Sequence, residues 1–347
     1  AEINHVYSNT IKGFSFKANN DKILGKILQN PNLLYVEPDY YVSTDSQTVS
    51  TGISRIGSTT NSIKSGDGQG SVDVDIAIID TGIDLTHPDL NVYSQKSFIS
   101  GISTANDDNG HGTHVAGIAA AKDDSNGVVG VAPGARLWAI KVLDRYGSGS
   151  LSNVIAGIDY VASKSSYIEV ANLSLSTSNS LSLNSSIQKA VAKGITFVVA
   201  AGNNRMDAST VSPANSPDVI AVSAIVDTDG KCGGMGQSTP YGPDDTFASF
   251  SNYGSVIDIA APGVAIYSTY KTGAYATMTE TSQASPHVAG AAAVIKSQNS
   301  TLSPSQIKDI LLSDGVKYGT ACNGGSTGYF TGDPDSIQEP FLNTSKY

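Results

Sequence analysis

Residues 76–84 read Ile-Ala-Ile-Ile-Asp-Thr-Gly-Ile-Asp, a short apolar run that stops at a carboxylate and a glycine. A run of this kind, closed by a turn signal, is the pattern of a strand covered on both faces. It delivers Asp80 into a tight turn, where Gly82 relieves the backbone. The same pattern continues downstream. Strands are predicted at 137–142, 170–175, 196–201, 219–222 and 256–259, and helices at 111–121, 151–164, 183–193, 282–298 and 303–312. Strands alternating with Ala-rich helices predict an α/β fold, a doubly wound, mostly parallel sheet with helices on both faces. In such sheets a site gathers in the loops at the carboxyl ends of the strands.

Residues 1–45 have a different character. Phe14 and Phe16 alternate with polar residues as in a strand, Ile23, Leu24, Ile27 and Leu28 form the stripe of a short helix, and 33–36 reads as a second strand before Pro38. Two strands and a helix bury too little apolar surface to stand alone. The division expected is therefore a small α+β unit at 1–45 and a large domain at 46–347.

Bulk properties narrow the field. A chain of 347 residues, 39% apolar, with 35 Gly and 13 Pro, is a loop-rich globular protein. Its formal net charge of -10 argues against nucleic acid as a partner. No apolar run reaches the roughly 18 residues that a membrane span needs. The opening Ala1–Asn9 has no basic stretch followed by an apolar one, so no leader is read there. Cys232 and Cys322 are the only cysteines, and spacing leaves open whether they pair or stay as thiols.

Three segments carry chemistry. Asp-Thr-Gly at 80–82 alone would also suit an aspartic protease, which needs two carboxylates sharing a proton; a second such triplet is absent. Asn109-Gly110-His111-Gly112-Thr113-His114 precedes an Ala-rich helix. A general base at a helix start, near a strand-end carboxylate, fits His111, while His114 reads as a packed structural histidine. Thr281-Ser282-Gln283-Ala284-Ser285-Pro286-His287 opens the next Ala-rich run, and Pro286 places Ser282 at a helix amino end. There the helix dipole and free N–H groups stabilise negative charge.

In the order Asp, His, Ser, these segments resemble the subtilisin-like proteases, the subtilases, themselves a reference case for this triad. The resemblance covers the chain from about Ser46 onward. It implies that Asp80 orients the imidazole, His111 is the general base and Ser282 the acylating nucleophile. Phe197–Asn203 resembles the oxyanion segment, with Asn203 as the side-chain donor. Gly147, Ser148 and Gly149 resemble one substrate-pairing edge and Leu173, Ser174 and Leu175 the other. Val211 and Ser176 stand where the family often has glycines, which implies a small first subsite. Arg205 would face an acidic substrate side chain.

Residues 5–45 resemble the second half of the subtilase prodomain, which puts a processing site between Asp45 and Ser46 and makes the unit an inhibitor of its own enzyme. Lys122–Val128 resembles the family's calcium loop. The implied ligands of a structural Ca2+ are Gln47, Asp89 and Asp124 by side chain, and Lys122, Asn126 and Val128 by carbonyl. The partners implied are polypeptide substrates and the chain's own prodomain, for a secreted monomer. Beside the nucleophile two further positions depart from the family, Glu280 where Gly is usual and Gln283 where Met is usual. If the first needs an unusual backbone angle, Glu280 is strained by roughly 1–3 kcal/mol. The alternative function is a catalytically weak or inactive binding protein on the same fold.

Overall fold

The structure, a computed structural model, describes residues 2–17, 21–37 and 47–347. The chain divides into two units, Ala1–Thr44 and Asp45–Tyr347. The proposed cut at Asp45 and Ser46 lies outside the described residues.

In the first unit β1 (Glu2–Tyr7) pairs antiparallel with β2 (Gly13–Lys17), followed by α1 (Asp21–Leu28). Phe14 and Phe16 share a face as their alternation predicted, with ring centroids 5.7 Å apart. The strand expected at 33–36 does not form. Leu34 and Tyr35 are exposed, so the apolar residues there have no face to bury, and β1 takes the place beside β2 instead.

The second unit runs α2 (Thr51–Arg55), β3 (Asp75–Asp80), β4 (Val92–Ser97), α3 (His111–Ala120), β5 (Arg136–Lys141), α4 (Leu151–Ser163), β6 (Ile168–Leu173) and β7 (Thr177–Ser178). It continues with α5 (Leu181–Val191), β8 (Thr196–Ala200), β9 (Val211–Ser212), β10 (Ile220–Val226), β11 (Thr246–Phe247), β12 (Ile259–Pro262), β13 (Ile266–Tyr270), β14 (Ala274–Met278), α6 (Thr281–Gln298) and α7 (Pro304–Asp314). The main sheet has the order β11-β10-β8-β6-β3-β5-β4, with β12 also on β10, and only β11 is antiparallel to its neighbour.

Strand β3 explains why the sheet is wound on both sides. Ile76 and Ile78 join a core with Val115, Ala116 and Ala119 of α3 and the Ala-rich face of α6. Ala77 and Ile79 point the other way, onto Val154, Ile158 and Val161 of α4 and Leu183 and Ile187 of α5. Each predicted helix and all but one predicted strand of this unit form within a few residues of expectation. The exception is 256–259, where Ile257 N–H bonds back to Gly254 O in a turn and the strand begins only at Ile259. Cys232 and Cys322 form a disulfide, with Cα atoms 5.5 Å apart. Among the described residues no helix is long and apolar enough to cross a membrane.

Candidate active site

Asp80 ends β3 with no exposure to water. One of its oxygens, Oδ1, accepts from Thr81 N–H at 2.6 Å and lies 2.8 Å from His111 Nδ1, while Oδ2 is buried without a hydrogen bond. The approach of strand end and helix start depends on Gly112. A Cβ there would lie 2.1 Å from Gly82 O and 3.1 Å from Asp80 Cβ, so any side chain would push α3 away. Burial opposes charge on His111, but the under-satisfied Asp80 carboxylate, its hydrogen bond, then Glu280 and Asp107 together lift the imidazole to about 9.

Asp107, which sequence reasoning missed, builds the start of α3. Its Oδ1 accepts from Thr81 Oγ1, Asn109 N and Gly110 N, and its Oδ2 accepts from Thr113 N and Oγ1. It thereby fixes the turn that holds His111 against Asp80. A carboxylate a few residues before a helix is a legible anchor for free amide groups.

Ser282 is the second residue of α6 and is buried. Pro286 falls in the second turn rather than the first, so it withdraws the N–H that would have bonded to Ser282 O. Ser174 Oγ donates to that carbonyl at 2.9 Å instead, which ties the nucleophile segment to the end of β6. The Ser282 hydroxyl donates to Ser174 O at 3.3 Å, a long bond, and makes none to His111 among the described residues. Asn203, past β8, accepts through Oδ1 from both Thr281 N and Thr281 Oγ1 at 2.8 Å. That pair fixes which end of the amide faces outward, leaving Nδ2 toward Glu280.

Glu280 has φ -170° and ψ 171°, extended backbone that any residue adopts, so the expected strain is absent. Its carboxylate does matter. Oε2 lies 3.8 Å from His111 Nε2 and 3.5 Å from Asn203 Nδ2, between the two groups that a reacting carbonyl would address.

These residues open on a cleft of about 570 Å³ lined by His111, Asn203, Glu280 and Ser282. Gly147, Ser148, Gly149, Ser174, Leu175 and Ser176 also line it. Three expected substrate-binding residues do not. Leu173 is packed in the core beneath the sheet, Val211 is buried where β9 pairs with β7, and Arg205 is exposed outside the lining. Sequence spacing places a strand but not which of its residues turn to the groove. Leu151, Val154, Leu183 and Ala200 add apolar patches to a wall that is otherwise mostly polar.

The other buried histidines are structural. His114 Nε2 meets Ile266 O and Ala276 O, and His287 Nδ1 meets Gln283 O at 2.8 Å; burial pushes each imidazole down to about 4. At the acidic loop, the Gln47 amide sits 2.9, 3.5 and 3.3 Å from the carbonyls of Lys122, Asn126 and Val128. Gln47 Oε1 and Asp89 Oδ1 are both buried without a hydrogen bond, and burial lifts Asp89 to about 6. The three carbonyls converge on Gln47 Nε2, and these oxygen donors, with the unpartnered Gln47 Oε1 and Asp89 Oδ1, are of the kind that a hard cation takes. Asp124 is exposed, and its Oδ1 accepts from Asn126 N.

With this geometry in place, comparison with known proteins is direct. Residues 71–328 match the model of the subtilase family. The chain is 40% identical over 293 residues to an alkaline protease of Alkalihalobacillus alcalophilus, covering 84% of this chain and 71% of that protein. It is 43% identical to subtilisin DY of Bacillus licheniformis over 73% of this chain and 87% of that one, and 40% identical to subtilisin E of Bacillus subtilis over 87% and 75%. A solved cold-adapted subtilisin-like serine proteinase superposes with a TM-score of 0.68 at 31% identity, over 85% of this chain and 97% of its own. The chain belongs to the subtilase family.

Gln283 is fully buried, and neither end of its amide has a hydrogen-bond partner among the described residues. An unsatisfied buried polar group costs about 1–3 kcal/mol. Gln283→Met, similar in length and apolar, is expected to raise stability by about that amount in denaturant melts made on a Ser282→Ala background. An unchanged or lowered midpoint would show that the amide is satisfied in solution.

Proposed function

We propose that this chain is a serine endopeptidase that cleaves peptide bonds through Ser282, His111 and Asp80. The observation that carries it is the convergence on one cleft of a buried Asp80–His111 pair, a serine at a helix amino end and an anchored asparagine amide. The subtilase relatives, named as proteases and subtilisins, support the same chemistry.

In this reading Ser282 Oγ leaves Ser174 O, passes its proton to His111 Nε2 and bonds to the scissile carbonyl carbon. Asp80, held to Nδ1, stabilises the imidazolium that forms. The carbonyl oxygen becomes an oxyanion and takes hydrogen bonds from Ser282 N–H and Asn203 Nδ2. Collapse breaks the C–N bond, and the leaving amine takes the proton from His111. Water then repeats the cycle and frees Ser282. Substrate would lie extended along Gly147–Gly149 and Ser174–Ser176, by strand addition. A fluorophosphonate probe should label the protein at alkaline pH and fail on Ser282→Ala; labelling that survives the substitution would refute the assignment.

Glu280 favours a second reading at neutral pH, that of a weak catalyst. With His111 at about 9, only about one imidazole in a hundred is neutral at pH 7 and able to accept a proton. The base is active above its pKa, so kcat/KM should rise about tenfold per pH unit and level off near 9. Glu280→Gln removes a carboxylate 3.8 Å from Nε2. A charge at that range is worth about 1 kcal/mol even in water, so the midpoint should fall by about one unit and the rate at pH 7 rise several-fold. A profile that Glu280→Gln leaves in place would remove Glu280 from this role.

The zymogen, too, belongs to this proposal. Residues 1–45 act as the second half of an inhibitory prodomain, and Ca2+ at Gln47, Asp89, Lys122, Asp124, Asn126 and Val128 braces the enzyme. The division of the chain at Thr44 supports a separate N-terminal unit, and the orphaned oxygens at Gln47 and Asp89 support the cation. The protein is exported and works as a monomer. N-terminal sequencing of the matured active protein should begin at Ser46, while the Ser282→Ala protein should stay uncut. A mature chain beginning elsewhere would move the junction.

A further inference from the structure

The loop 227–245, between β10 and β11, opens with Asp227-Thr228-Asp229-Gly230 and closes with Asp244-Asp245. Three of these four carboxylates are accounted for. Asp245 accepts from Arg55 Nε at 2.9 Å and from Gly233 and Gly234 N–H. Asp244 accepts from Thr228 N and Oγ1 and from Gly236 N. Asp229, at the surface, accepts from Lys231 N.

Asp227 is the exception. It has no exposure to water, and both carboxylate oxygens lack a hydrogen bond. Its ion pair is with Arg55 Nε at 3.7 Å, beyond hydrogen-bond reach. That N–H is given to Asp245, and the rest of the guanidinium bonds to Ser326 O and Gly328 O. Burial pushes Asp227 up to about 8, so without a further cation it is held largely protonated and without a hydrogen bond, a state that a cation brought to its oxygens would relieve.

One oxygen from each of Asp227, Asp229 and Asp244 lies within 4.8 Å of the other two. Calcium–oxygen bonds of 2.3–2.6 Å put opposite ligands about 5 Å apart, so one ion reaches all three. The donors are all carboxylates. Cys232, the thiol nearest in sequence, is held in its disulfide, and oxygen-only sites take hard cations rather than zinc. We propose that Asp227, Asp229 and Asp244 bind a divalent hard cation, calcium by size, at a site separate from the 122–128 loop. It would tie the beginning of the 227–245 loop to its end. Asp245 and Arg55 already fasten the same loop to α2.

The test uses the full chain with Ser282→Ala, to prevent self-digestion, and counts bound 45Ca by equilibrium dialysis beside melts with and without EGTA. Asp229→Asn and Asp227→Asn should each lose one calcium per chain, or weaken one site at least tenfold, while Asp89→Asn affects a different ion. Without calcium, Asp227→Asn should melt no lower than its parent, because neither carboxylate oxygen makes a hydrogen bond that the substitution would remove; with calcium it should melt lower. Should Asp227→Asn fail to fold, the exposed Asp229→Asn decides alone. Calcium counts and EGTA-sensitive shifts equal to those of the parent would overturn the site. Because the readout is ion binding, it stands or falls apart from the catalytic assignment.

Discussion

A carboxylate with no access to water stands at the end of the central strand, and much of the chain around it meets that demand. Asp80 reaches its position because β3 is apolar on both faces and runs through the middle of the sheet. Once there, a buried charge must be paired. One oxygen finds Thr81 N–H and His111 Nδ1, and the other finds no hydrogen bond. Against the opposing effect of burial, the charge of Asp80 and its hydrogen bond, followed by Glu280 and Asp107, raise the proton affinity of the imidazole. The same constraint explains Gly112, since the helix carrying His111 can come close only if that residue lacks a side chain.

The second support of the cleft follows from a helix that gives up one of its own bonds. Pro286 leaves Ser282 O without its helical donor, and Ser174 Oγ supplies one from the end of β6. Two elements distant in sequence are thereby locked at the residue expected to react. Thr281 does the same toward β8 by bonding twice to Asn203. The geometry of the cleft thus rests on polar side chains that satisfy backbone groups, not on the fit of apolar surfaces.

Much of this was legible in the sequence. Parallel strands buried on both faces leave unbroken apolar runs, and Ala-rich runs of helical length mark the helices between them. Asp80, His111, Ser282 and Asn203 each sit where such an element stops. What escaped was of two kinds. The exposed strand β1 and the partly buried β13–β14 hairpin carry weak patterns, whereas the apolar run at 33–36, with Leu34 and Tyr35 exposed, imitates a strand. Side-chain direction was the other, since spacing does not tell that Leu173 faces the core rather than the groove. Hydrogen bonds over long sequence separations have no local signature.

Glu280 joins these themes. The family's usual glycine is not required here by backbone angle, because the residue is extended. The reason to avoid a side chain at this place must then lie in the cleft. A carboxylate 3.8 Å from His111 Nε2 and 3.5 Å from Asn203 Nδ2 favours the protonated imidazole and, under the proposed mechanism, would compete for the amide that an oxyanion needs. The first of these effects fades as the pH rises through the value of about 9 to which Asp80, Glu280 and Asp107 lift the imidazole. A single half-buried side chain at the helix start therefore adds a carboxylate to the wall of the cleft. It does so without altering the buried pair beneath it.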